Sequence, residues 1–259
     1  MEKAEEPSSK DASMRSEGVR IVKSANERNI HLRLLGAIAF QTHCPKYNYL
    51  TSKLRRVLSD VDFAAYGSER DQIDKMMREF GYADQPMITA LFGSQRMIWD
   101  NKTTGMHVDI FFDKLEMNHN ITFQGRLGLD ETTISLADML LEKMQIVRIN
   151  EKDIVDTIML LREHKIGGNT PETIDAEYIA KLLSNDWGFY YTFTTNLKKV
   201  QDALTHYPEL TEEDRSDVTG KIQDLSARME KVPKTFAWKV RAKMGTKSKW
   251  YKDVEDVTR

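Results

Sequence analysis

A single cysteine, Cys44, in 259 residues leaves no intramolecular disulfide to be made. That excludes a disulfide-stapled scaffold and suits a reducing compartment. No apolar run approaches the length of a bilayer span, and the opening Met1 to Glu17 is polar, with Glu5, Glu6, Pro7, Ser8 and Ser9 where an export signal would be apolar. The expectation is a cytoplasmic protein with no membrane partner. Neither sign of charge dominates: 38 Lys and Arg against 40 Asp and Glu give a net charge of −2. The whole molecule therefore does not attract a polyanion, and a nucleic-acid partner would need a local basic patch. His31, His43, His107, His119 and His164 show neither zinc-ligand spacing nor a Ser or Cys partner in a hydrolase motif. Internal repeats and low-complexity tracts are absent.

What is there is an ordinary folding composition, 40% hydrophobic and 30% charged. Residues 1–17 lack hydrophobic periodicity and read as a flexible tail. A short helix is expected over Glu17–Glu27, then a strand at His31–Leu35 that stops at Gly36, with a helix following. Cys44 to Ser59 is an irregular connection carrying Lys53, Arg55 and Arg56. Asp60–Ala65 alternates as a strand, and Ser68 is placed to cap a helix through Phe80. Arg96–Trp99 and Met106–Phe112 flank Asn101-Lys102-Thr103-Thr104-Gly105, a hairpin sequence. Beyond Thr133 the period becomes helical: Leu136, Met139, Leu140, Lys143, Met144 and Val147 recur on one face. Asn150 is placed to cap a helix ending at Gly167-Gly168, Thr170-Pro171 to open another, and Thr211-Glu212-Glu213-Asp214 a further one. The division expected is a tail at 1–17, an α/β domain at 18–134 and an all-helical domain at 135–259.

The carboxylates carry the chemistry. On a strand, side chains two apart share a face, so Asp60 and Asp62 project together while Val61 and Phe63 enter the core. Two adjacent carboxylates are costly unless a cation neutralises them, and hard oxygen ligands suit Mg²⁺ with substrate phosphates. Asp109, between Val108 and Ile110 in mid-strand, is a third carboxylate that a strand core has no other use for. Asp113 shares its face as a less central candidate.

In this order of strand, glycine turn, helix, Asp-x-Asp strand and lone-Asp strand, the sequence resembles the nucleotidyltransferase superfamily related to polymerase β. The matching residues are Leu34-Leu35-Gly36-Ala37, Ser59-Asp60-Val61-Asp62-Phe63 and His107-Val108-Asp109-Ile110. Leu140–Met144 and Lys152–Asp156 look like helical motifs of the branch that contains abortive-infection nucleotidyltransferase toxins. Nearly the whole chain, including Asp186-Trp187-Gly188 and Trp238–Lys243, is similar to a prokaryotic group described only as nucleotidyltransferase-like. The resemblance implies an α/β (α+β) fold: a mixed-sheet nucleotidyltransferase-like domain followed by an all-α C-terminal region. It implies transfer of a nucleoside monophosphate from an NTP to an RNA, protein or small-molecule acceptor, with release of pyrophosphate. Asp60, Asp62 and Asp109 would be the catalytic ligands of Mg²⁺ or Mn²⁺, with Asp109 on the side of the nucleophile. Gly36, Ala37 and Lys143 would bind the nucleotide.

The family usually has Gly-Ser or Gly-Gly where this chain has Gly36-Ala37, and the interval from Gly36 to Asp60 is long. Those departures motivate an alternative, a degenerate member that binds nucleotide or a partner without turnover. A metal-dependent glycosyltransferase also uses Asp-x-Asp, but leaves Asp109 and the helical tail unexplained. Lys152 and Asp156 read as a surface ion pair, and His107 as a strand-surface residue on the face of Asp109. The segment from Lys231 to Lys252 has no acid and interleaves its cations with Phe236, Trp238, Trp250 and Tyr251. At this spacing the rings are expected to pack the C-terminal helices; an RNA track is the second use.

Overall fold

The computed structural model describes residues 9–52, 58–86 and 94–254. Lys53, Arg55 and Arg56 lie outside them. The chain divides into two compact units, one of residues 1–115 and 121–135, the other of residues 116–120 and 136–259.

Unit 1 is built on a mixed five-stranded sheet: β1 (Leu32–Leu35), β2 (Val61–Ala65), β3 (Ala83–Asp84), β4 (Arg96–Asn101) and β5 (Met106–Phe112), in the order β1-β2-β5-β4-β3. β2 and β5 run parallel, and the other neighbours are antiparallel. The expected hairpin joins β4 to β5: the Asn101 side-chain carbonyl accepts from Thr103 and Thr104 N–H, and Gly105 supplies the positive φ of 69°. Both sheet edges are blunted. Thr132–Ile134 runs along the outside of β1 through the Leu34 N–H and C=O, and β3 is only two residues long.

Alternation divides the sheet into two faces. Leu34, Val61, Phe63, Ile110 and Phe112 are buried on one. Helix α1 (Ser9–Glu27) lies on that face with Met14, Gly18, Ile21, Val22 and Ala25 inward. A Cβ at Gly18 would come within 3.1 Å of both Leu34 and Val61, so glycine lets the helix sit close. Residues 9–17, read as tail, are therefore the first turns of a packed helix. Polar residues disguised a stripe that only Met14 announces, because a glycine at the contact adds nothing to apolar periodicity.

The other described helices of unit 1 are α2 (Gly36–His43), α3 (Tyr49–Ser52) and α4 (Arg70–Glu79). Ser68 does not cap α4: it sits in a 3-10 turn, Gly67–Glu69, and Glu69 takes the cap position without a side-chain bond. A short hairpin of β6 (Lys114–Glu116) and β7 (Asn120–Thr122) follows β5.

Unit 2 contains α5 (Leu136–Met144), α6 (Glu151–Glu163), α7 (Ala176–Leu183), α8 (Trp187–Ala203), α9 (Glu212–Lys231) and α10 (Phe236–Met244). Asn150 caps α6 and Thr211 forms a capping box with Asp214, as their sequences suggested. Two boundaries differ. α6 ends at Glu163, short of Gly167-Gly168, and Thr170-Pro171 opens no helix; between α6 and α7 a parallel ladder forms from β8 (Lys165–Gly167) and β9 (Thr173–Asp175). Asp175 then caps α7 through the Glu177 and Tyr178 N–H groups. The region is thus helical apart from this ladder, whose three-residue strands carry too little alternation to be read.

Candidate metal and nucleotide site

Asp62 and Asp109 are direct partners across the parallel β2–β5 pair, so both carboxylates project on the face opposite Val61 and Phe63. Asp60, two residues before Asp62, joins them, and one oxygen from each of the three lies within 4.8 Å of the others. Asp109 is 2% exposed and the other two are half-buried. Ser59 Oγ donates to Asp60 Oδ1 at 2.7 Å. Three hard oxygen donors converging at the rim of a sheet fit a divalent cation such as Mg²⁺ or Mn²⁺.

Gly36 closes the site from the next strand. β1 ends at Leu35, the cross-strand partner of Asp62, and Gly36 turns the chain with φ 68° into α2. A Cβ there would stand 2.7 Å from Asp62 Oδ2. The first turn of α2, Gly36 and Ala37, therefore borders the acidic cluster, and helix N-termini favour phosphate oxygens.

Sequence reasoning missed Arg96. Its Nη2 is 2.7 Å from Asp109 Oδ2, and its guanidinium also lies over the Phe111 ring, 5.1 Å from the centroid. Arg96 pairs with Phe111 in the ladder and Ile98 pairs with Asp109, so the ion pair is a diagonal contact that requires the hairpin register to be known. His107, on the Asp109 face, holds Asp100 through Nδ1, and Gln85 Nε2 donates to the other Asp100 oxygen at 2.7 Å.

Asp113 leaves the site. Its φ of 62° ends the strand at Phe112, and its Oδ1 accepts from Gly67 N–H at 3.0 Å. Lys143 belongs to unit 2. Its ammonium is buried with Asp156 at 3.1 Å, Asp153 at 3.2 Å and Glu142 at 3.7 Å. Asp156 is thus a core residue paired with Lys143, not a surface partner of Lys152, because α6 turns it inward with Val155 and Met159. The rings Trp238 and Trp250 pack as expected, edge-on to Tyr190 and Tyr191 at 5.3 and 5.1 Å, whereas Phe236, expected to pack with them, is 83% exposed. Gly188 of the Asp186-Trp187-Gly188 motif leaves room for the Trp250 carbonyl, which a Cβ would meet at 2.4 Å.

Among the described residues, no helix is long and apolar enough to cross a membrane. No protein-family model matches the chain, and no curated protein matches it. Among solved structures, the antibiotic-resistance factor ANT(2'')-Ia aligns with a TM-score of 0.41 at 14% identity, over 67% of this chain and 95% of its own. An antigenic nucleotidyltransferase-like protein from Paracoccidioides brasiliensis aligns with a TM-score of 0.38 at 14% identity, over 86% and 95%. Scores this low carry no weight for the activity of this chain.

Proposed function

We propose that the chain is a metal-dependent nucleotidyltransferase that moves a nucleoside monophosphate from an NTP to an acceptor and releases pyrophosphate. The observation that carries the reading is the convergence of Asp60, Asp62 and Asp109 within 4.8 Å, with Gly36 at the head of a helix against Asp62. Bound divalent metal would supply charge neutralisation at the phosphates and a more acidic acceptor hydroxyl. The chain's own residues do the rest. Asp60 and Asp62 hold the phosphate-side charge in register, and Asp109, fixed by Arg96, faces the attacking group. The N–H groups at Gly36 and Ala37 orient phosphate oxygens without a side chain in the way. Incubation with Mg²⁺ or Mn²⁺ and α-labelled NTPs, over RNA, protein and small-molecule acceptors, tests the reading; absence of both label transfer and NTP binding overturns it.

Arg96 favours a second reading. A guanidinium 2.7 Å from Asp109 already supplies a cation to the third carboxylate, which suits a member that binds nucleotide or a partner without turnover. Metal-dependent label transfer lost in Asp60→Ala excludes it.

A further inference from the structure

The basic C-terminal segment contains a helix whose outer face is exposed among the described residues. α10 buries none of its residues. Its inner face rests on α8: Trp238 meets Tyr190, and the Arg241 guanidinium lies 4.8 Å from the Trp187 ring centroid. Outward, Phe236, Val240 and Met244 recur every fourth residue and are 83%, 45% and 49% exposed, forming one apolar stripe along the helix. Lys239 and Lys243 lie along one flank of it, and Lys247 follows in the next turn. All three are exposed, and among the described residues none of their ammonium groups has an ion-pair or hydrogen-bond partner. The neighbouring cations are committed elsewhere: Lys234 to the carbonyls of Met229 and Val232, Arg241 to those of Gly245 and Ser248, Lys249 to Asp253, and Lys252 to Glu116.

We propose that α10 docks the chain on an anionic lipid surface, lying in the plane of the bilayer with Phe236, Val240 and Met244 inserted and the three lysines among the headgroups. An apolar stripe bordered by unpaired lysines requires a surface that is apolar and anionic together, and the bilayer interface is both. A second copy of α10 fails on charge, because symmetric pairing would set lysines against lysines. A single-stranded nucleic acid fits less well. Stacking needs free rings, but Trp238 and Trp250 are packed on tyrosines and the Trp250 indole N–H is donated to Thr192 Oγ1. Two of the three exposed apolar side chains are aliphatic. The proposal stands apart from the acidic site of unit 1.

Vesicle co-sedimentation of the full chain tests it. The chain is expected to sediment with phosphatidylcholine vesicles holding about 30% phosphatidylglycerol, to lose that binding as salt rises, and to ignore pure phosphatidylcholine. Phe236→Ser, and separately the triple variant Lys239→Ser, Lys243→Ser, Lys247→Ser, should each lower partitioning by about ten-fold or more. Because these side chains are exposed, far-UV circular dichroism and melting should be unchanged. Equal partitioning into neutral and anionic vesicles, no partitioning at all, or indifference to Phe236→Ser overturns the proposal. So does binding of a single-stranded oligonucleotide that is tighter than vesicle binding and lost in the same variants.

Discussion

Gly36 and Asp62 meet so closely that no side chain fits between them: a Cβ on residue 36 would lie 2.7 Å from Asp62 Oδ2, at a φ of 68°. Gly36→Ala therefore faces two penalties, about 1–2 kcal/mol for the left-handed backbone and displacement of a carboxylate. Activity is expected to fall at least ten-fold further than the melting temperature alone accounts for, about 1.4 kcal/mol in transition-state stabilisation. Wild-type turnover in this variant would refute a role for the Gly36 turn in the site.

Asp109→Asn keeps the shape of the buried side chain and removes its charge. Label transfer is expected to drop by about three orders of magnitude, about 4 kcal/mol, with Mn²⁺ affinity by calorimetry falling in parallel. Unchanged Mn²⁺ binding would show that the three aspartates do not share a cation.

Arg96→Met removes the guanidinium from Asp109 and leaves the acidic cluster less compensated. The metal-free protein should lose about 1–3 kcal/mol, and its melting temperature should rise more with added Mn²⁺ than that of the wild type. A variant as stable as wild type and no more responsive to Mn²⁺ would mean that guanidinium and metal do not compete.

Lys143→Met strands Glu142, Asp153 and Asp156 in the interior of unit 2. Loss of one partner from a buried ionic cluster costs about 3–5 kcal/mol, to be read by urea denaturation. A raised KM for NTP at unchanged stability would instead assign Lys143 to nucleotide binding.

His119 is buried against Phe189, rings stacked at 4.8 Å, with Nε2 2.9 Å from Thr192 Oγ1. Burial pushes its pKa down from 6.5 to about 4. Between those values the unfolded chain binds a proton that the folded chain refuses, so this contribution is intact above pH 6.5 and is lost as pH falls toward 4, at about 1.4 kcal/mol per unit. Denaturation midpoints at pH 7, 6 and 5 should show that slope, and His119→Gln should flatten it.

The elements legible in the sequence were those with local signatures. The alternation around Asp60–Ala65, the Asn101–Gly105 turn, the Asn150 cap and the Thr211/Asp214 box all act within a few residues of themselves. The end of α6 and the start of α7 are not legible, because Gly167-Gly168 and Thr170-Pro171 carry turn chemistry that a short ladder also satisfies.

What the sequence determined by itself was the pair of carboxylates on one strand face and a third in another strand, since side-chain direction in a strand follows from spacing of two. The tertiary structure alone decided that Asp62 stands opposite Asp109, that Arg96 reaches Asp109 across the hairpin, and that Lys143 is enclosed by Asp153 and Asp156. Such contacts depend on strand register and helix facing, which are set by packing between segments distant in the chain and leave no local mark in it.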